Sequence, residues 1–299
     1  MKNKYILFII LSLSTLAFGA NADSAIWGDS LITDILGYDK KDSLHLGYLF
    51  TLLQSTYFKP LFFGVLFGVP AVFLLHYMVI GPMIFSHDRK KIYVFTLFNR
   101  IIHSIAGVAF TILIPTGLVI MFASTFGGGA FVIFCKEIHA ISTLLFIVSI
   151  VPMFFMWVRW MFVHWDDFKW MMILGGYLNK DKKPVPAGRF NAGQKMWFWL
   201  ATLGGFVMIA TGAVMYYQDF KLEFVASFGL SQIDFLRASA IVHNILGMGV
   251  LALFLTHIYM SVFAIKGAIH SIITGYKEEE EVEILHSSFY KELKEKNKI

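Results

Sequence analysis

The sequence predicts an all-α integral membrane protein, and three observations carry that expectation. Of 299 residues, 57% are hydrophobic and only 15% are charged, with a mean hydropathy of +0.67. Five long apolar stretches each suffice to cross ~30 Å of hydrocarbon with about 20 residues. The basic residues gather in alternate connectors between those stretches. A soluble domain of this length has no core large enough to hide so much apolar surface. The 31 Phe residues, with Trp and Tyr, suit lipid-facing helices flanked by aromatic belts.

Residues 1–22, MKNKYILFIILSLSTLAFGANA, read as a secretory signal peptide. Lys2 and Lys4 form its basic start, and Ala20-Asn21-Ala22 is a cleavage site before Asp23. An uncleaved first helix is the alternative, disfavoured because the apolar run is short for a span. Residues 23–59 follow as a mixed periplasmic segment and lead-in with Asp29, Asp34, Asp39 and Asp42. The spans are then expected near 60–85, 97–124, 132–162, 196–217 and 236–265. Arg89, Lys90, Lys91 and Arg100 occupy the first connector, and Lys169, Lys180, Lys182, Lys183, Arg189 and Lys195 the third. Lys266, Lys277, Lys291, Lys294, Lys296 and Lys298 follow the last span. The other connectors hold only Lys136, and Lys221 with Arg237. Such alternation places the basic loops and the C-terminus in the cytoplasm of a bacterial inner membrane, with the mature N-terminus in the periplasm. Residues 278–299, opening with EEEEVE, read as a solvated cytoplasmic tail.

A lone cysteine, Cys135, excludes an internal disulfide framework, a Cys-rich zinc site and protein-held iron–sulfur clusters. Covalent c-type haem is excluded too, since no C-x-x-C-H occurs. A metal centre here rests on histidine or carboxylate. The fifth stretch contains HNILGMGVLALFLTH, with His243 and His257 at its ends. Fourteen residues at ~1.5 Å separate them by about 21 Å, and fourteen steps of ~100° return to within about 40° of one face. His139 matches His243 in depth, and His103 matches His257. Each pair suits the two sides of a b-type haem, giving an outer and an inner haem. Gly107 and Gly247, four residues past His103 and His243, leave room for a haem edge. A packing role, a proton relay or a metal transporter also uses intramembrane histidine, but these spans hold almost no carboxylates apart from Glu137.

His76 and His164 read as interfacial or packing groups, with a quinone pocket or haem propionates as their other use. Arg159 reads equally as a propionate partner or as a snorkelling side chain. His45, His87, His270 and His286 read as surface groups. RFNAGQKMWFW, residues 189–199, brings Asn191, Gly193 and Gln194 to the start of the fourth span near the depth of His257. That set suits a quinone head group, and equally an ordinary capped helix start.

FNRIIHSIAGVAF, EIHAISTLLF, RFNAGQKMWFW and IVHNILGMGVLALFLTHIYMSVFAIKGAIHSIITG together resemble the cytochrome b (gamma) subunit of membrane-bound respiratory formate dehydrogenase. The resemblance covers about residues 95–277. It implies a four-helix di-haem cytochrome b bundle, to which the stretch at 60–85 adds one N-terminal transmembrane helix. It implies two haem b, one held by His139 with His243 and one by His103 with His257, and menaquinone beside Asn191, Gly193 and Gln194. It further implies an iron–sulfur (beta) subunit and a molybdenum or tungsten catalytic (alpha) subunit as partners, and assembly into a higher oligomer. The chain itself is then a non-catalytic electron-transfer subunit, with no nucleic acid among its partners. Nickel–iron hydrogenase and thiosulfate or polysulfide reductase cytochromes share the di-haem architecture. A haem-free anchor or histidine-based transporter is the alternative of another class.

Overall fold

The computed structural model describes residues 46–218 and 231–297. The signal-like segment 1–22, most of the lead-in, His45 and Lys221 lie outside the described residues. The described elements are α1 (Leu46–Val79), β1 (Lys91–Tyr93), α2 (Leu97–Met121), α3 (Gly129–Trp160), α4 (Trp165–Met172), α5 (Ala192–Tyr216), α6 (Gln232–Ala264), α7 (His270–Thr274), β2 (Tyr276–Glu278), α8 (Glu279–Leu285) and α9 (Ser287–Glu295). Helices α1, α2, α3, α5 and α6 are long and apolar enough to cross a membrane.

The first span differs from the expected 60–85. Helix is already present at Leu46 and stops at Val79. Gly81 at φ 80° supplies the left-handed stop, and Pro82 after it disfavours a helical continuation. The apolar residues beyond run extended instead, with Met83 N–H donating to Ala264 (2.8 Å) and Lys266 N–H to Met83 (2.9 Å). Pro70, Pro115 and Pro152 sit inside α1, α2 and α3. The last turns of α6, Tyr259–Ala264, are wound as π-helix, beginning two residues after His257. Such bulges recur at functional sites.

Packing divides the chain into two units. One comprises residues up to Lys59, Val108–Phe146 and Thr211–Val242; the other comprises Pro60–Gly107, Ile147–Ala210 and His243–Ile299. In the first, Phe110 meets Phe146 edge-on at 5.0 Å, and Tyr216 donates to Glu137 at 3.0 Å.

The second unit contains the largest correction to the sequence reading. Residues 276–295 are not a solvated tail. Strand β2 pairs antiparallel with β1, Ile92 opposite Lys277, and Val282, Leu285 and Tyr290 are buried. Val282 and Tyr290 pack with Ile92 and Val94, while Leu285 packs with Phe85, Ile265 and Ile284. The acidic run clamps the basic connectors: Glu278 meets His87 (2.9 Å) and Lys91 (3.2 Å), Glu280 meets Lys182 (2.8 Å), and Glu283 meets Arg89. Lys182 and the Ser86 N–H hold the Glu280 carboxyl below its usual range. Exposed pairs of this kind contribute about 0–1 kcal/mol each, so the apolar face does most of the docking.

Histidines also moved. His87 and His270 are exposed, as expected, but His286 is buried at 3% exposure and its Nδ1 donates to Gly188 (2.9 Å). His164 caps α4, accepting from Asp166 N–H while Asp167 accepts from the His164 N–H at 2.7 Å. His76 latches α1 to its neighbours. Its Nε2 meets the Tyr177 carbonyl (2.7 Å), so that nitrogen is the donor, and Nδ1 accepts from the Tyr259 hydroxyl (2.5 Å).

Lys195, counted above among the loop cations, is buried with Asp167 in a 2.7 Å ion pair. Its ammonium also donates to the Phe162 carbonyl at 3.1 Å. Lys195→Met strands the Asp167 carboxylate and should cost about 3–5 kcal/mol. Lys195→Met with Asp167→Leu should recover most of that loss in thermal denaturation of the detergent-solubilised protein. A single variant as stable as the wild type would refute the pair's role.

Burial, then the charge of Lys277, pushes His286 down to about 3. An unfolded histidine titrates near ~6.5, so between these values the undocked segment binds a proton that the docked one does not. Docking of α8 and α9 should therefore weaken as pH falls from 6.5 toward 3, by up to about 1.4 kcal/mol per pH unit. Limited proteolysis across that range reads it. His286→Gln should flatten the slope, and an unchanged slope would count against His286.

Candidate functional site

Two capping boxes bring the central residues of the site into place. At the start of α2, Thr96 and Asn99 exchange backbone-to-side-chain bonds of 3.2 Å each. That fixes the first turn and sets His103 one turn beyond Asn99. At the start of α5, the Asn191 carboxamide oxygen accepts from Gln194 N–H (2.9 Å) while the Gln194 oxygen accepts from Asn191 N–H (3.0 Å). This orients the next turn of α5, which carries Trp197.

The structure brings His103 and His257 together, their ring centroids 6.0 Å apart and the planes tilted by 50°. Two metal–nitrogen bonds of ~2.0 Å, each with a ring centre about 1.1 Å behind its nitrogen, require about 6 Å. Among the described residues no group of three or more His, Cys, Asp or Glu gathers to hold a metal ion. Two imidazoles are too few for a bare ion, but they would suffice for an iron already held by a macrocycle. The donor set fits haem.

Aromatic rings close around the pair. Trp197 stacks on His257 at 5.8 Å and 21°, and Trp157 lies 6.5 Å from His103. Phe190 and Phe95 pack on Trp157 at 5.6 and 6.0 Å. A Cβ at Gly107 would meet no heavy atom within 4 Å, leaving the expected space one turn from His103. At Gly247 the space is shared with Met208 and Phe62, whose nearest atoms lie 3.8 and 4.0 Å away.

His243 belongs to the same unit, where its ring has a backbone hydrogen bond with Met208. His139 belongs to the other unit. Thr116 Oγ1 lies 2.9 Å from His139 Nδ1 and donates its own hydrogen to the Ile112 carbonyl at 2.7 Å. The hydroxyl therefore accepts from Nδ1–H, which leaves the lone pair on Nε2. Gly117 admits the ring, since a Cβ there would come within 3.3 Å of His139 Cε1.

The quinone candidates are less open than the sequence suggested. Both side-chain oxygens of Asn191 and Gln194 are spent on the capping box, and their amide NH2 groups are the donors it does not use. Gly193 faces Trp170, where a Cβ would stand 3.2 Å from the ring. Arg159 is exposed and lies over Trp160 at 3.8 Å. Sequence reasoning missed Trp157 and Trp197 because an aromatic residue in a membrane helix is commonplace. Only helix crossing shows which histidine each one covers.

Known proteins bear on this geometry. A curated relative, the cytochrome b556(Fdn) subunit of the nitrate-inducible formate dehydrogenase of Escherichia coli (strain K12), is 29% identical over 153 residues, covering 49% of this chain and 66% of its own length. The formate dehydrogenase cytochrome b556 subunit of Haemophilus influenzae is 28% identical over 148 residues, 47% and 59% of the respective lengths. The cytochrome b556(fdo) subunit of E. coli formate dehydrogenase is 22% identical over 159 residues, 53% and 71%. This chain thus spans just under two thirds of the first relative's length. The model of the prokaryotic cytochrome b561 family matches residues 94–275, more than half of the chain. That stretch runs from Val94, two residues before the cap of α2, to Gly275, just past α7, and holds His103, His139, His243 and His257. The chain belongs to the prokaryotic cytochrome b561 family, multi-pass membrane proteins whose cytochrome b character implies haem b.

Proposed function

We propose that this chain is the membrane cytochrome b subunit of a formate dehydrogenase, passing electrons from a periplasmic iron–sulfur subunit to menaquinone near the cytoplasmic side. A molybdenum or tungsten catalytic subunit would feed that iron–sulfur partner. The observation that carries the proposal is the 6.0 Å spacing of His103 and His257, joined to relatives named as formate dehydrogenase cytochrome b556 subunits.

Haem b, when bound, supplies one-electron redox chemistry. This chain's residues do the rest. His103 and His257 would hold the inner haem, and Trp157, Trp197 and Phe190 would keep water from it. For the outer haem, His139 and His243 are assigned on sequence grounds. Thr116 supports the assignment by fixing the His139 tautomer with Nε2 as donor, the arrangement a second-shell acceptor imposes on a metal-bound histidine. The amide NH2 groups of Asn191 and Gln194 are the donors offered to a quinone carbonyl. Two electrons moving inward and two protons taken from the cytoplasm charge the membrane in the same sense, which contributes to the proton motive force.

A dithionite-reduced minus oxidised spectrum with haem quantified per chain tests the proposal. Two b-type haems are expected; none, in protein made with ample haem, would overturn it. His257→Ala should lose one haem of two and abolish quinone reduction while the other haem stays. Co-purification of a molybdenum or tungsten enzyme supports the formate dehydrogenase assignment, whereas a nickel–iron partner would move the chain to a hydrogenase.

A further inference from the structure

Four buried side-chain polar atoms among the described residues have no hydrogen-bond partner, and three of them are donors: Arg100 Nε, Trp157 Nε1 and Arg189 Nε. All three converge on the end of the second unit where His103 lies. Arg100 stands one turn before His103 on α2. Trp157 is the ring beside His103, at 6.5 Å. Arg189 precedes Phe190, which packs on Trp157 at 5.6 Å, and its guanidinium lies 4.5 Å over Trp160.

What the two arginines do bind is backbone. Arg100 donates to the Ile273 carbonyl at 2.5 Å, and Arg189 donates to the Val94 carbonyl. These carbonyls flank one junction, since Val94 and Phe95 N–H both donate to Gly275 (2.8 and 3.1 Å). No carboxylate forms an ion pair with Arg100, Arg159 or Arg189 among the described residues. Burial and the nearby Arg159 charge push the Arg189 guanidinium below its ordinary value. Leaving buried donors unmet costs about 1–3 kcal/mol each, more for charged groups. Two guanidinium groups, each with an unmet Nε donor and no ion-pair partner among the described residues, and an indole N–H at one place make a site for an acceptor-only, negatively charged ligand.

We propose that Arg100, Trp157 and Arg189 receive the propionate carboxylates of the haem held by His103 and His257, an inference that rests on the ligation proposed above. Position and charge both favour that occupant. The donors belong to residues one turn from His103, beside it, or next to Phe190 that packs on its neighbour Trp157, and a propionate pair carries two negative charges to match two guanidinium groups. A neutral quinone carbonyl would satisfy the indole and leave both cations unbalanced. Guanidinium suits the role because its fork meets a carboxylate through two parallel bonds. Arg159, which lies over the same Trp160 ring at 3.8 Å, is not required to touch the ligand.

The test uses the whole membrane protein carrying both haems, with Arg189→Gln and Trp157→Phe compared with wild type. Three readouts apply: haem per chain, the midpoint potential of each haem, and the propionate bending band in the resonance Raman spectrum. Two haems retained, a lower potential for the inner haem alone in Arg189→Gln, and a shifted propionate band in both variants would support the proposal. Removing a cation disfavours the electron-rich reduced haem, which fixes the sign of that shift. Two haems retained with potentials and propionate bands unchanged would overturn it while leaving the His103–His257 ligation intact. Absence of an inner haem from the wild type would overturn the ligation and this inference together. Should Arg189→Gln fail to accumulate, Arg189→Lys keeps the charge without the fork; a propionate band unchanged in it and in Trp157→Phe overturns the proposal.

Discussion

A histidine held among apolar helices has two ring nitrogens to satisfy and no bulk water to do it. This constraint governs the region around His103 and His257. Their ring centroids stand 6.0 Å apart, too far for a hydrogen bond between them. Much of the surrounding structure serves to keep that gap. Capping boxes fix where α2 and α5 begin, Trp197 and Trp157 pack on the two rings, and the Lys195–Asp167 pair ties the start of α5 to the cap of α4. Together they hold two side chains from helices far apart in sequence in one mutual orientation.

The apolar periodicity made most of the membrane architecture readable. The second span was expected at 97–124 and found at Leu97–Met121; the fifth was expected at 236–265 and found at Gln232–Ala264. The first span misled at both ends. Gln54, Ser55 and Thr56 interrupt the apolar run, yet the helix passes through them, and Gly81-Pro82 ends it although apolar residues continue. At the site, the shared depth of His103 and His257 was legible from spacing. The aromatic cover, the buried Lys195 and the partners of His76 were not, because each depends on contacts between segments that sequence order separates.

The EEEEVE run shows the same limit from the polar side. A charge block reads as solvated tail when nothing nearby opposes it. Here its partners lie about 100 to 190 residues upstream, at Lys182 and Arg89, and an apolar face of Val282, Leu285 and Tyr290 brings it to them. The connectors whose positive charge predicts the topology are thus partly neutralised in the folded protein. A signal that acts during insertion need not remain as a free charge afterwards.

The latch at His76 gives the helix outside the family-matched region a place in the timing of biogenesis. Its two partners, Tyr177 and Tyr259, come 101 and 183 residues later. A ribosome must therefore finish the fifth span before the first can be fastened. Until then His76 Nδ1 lacks the Tyr259 hydroxyl, and closing that long loop is a late, entropically costly event. The latch closes only once the fifth span is in place, so it marks a late step of assembly rather than an early one.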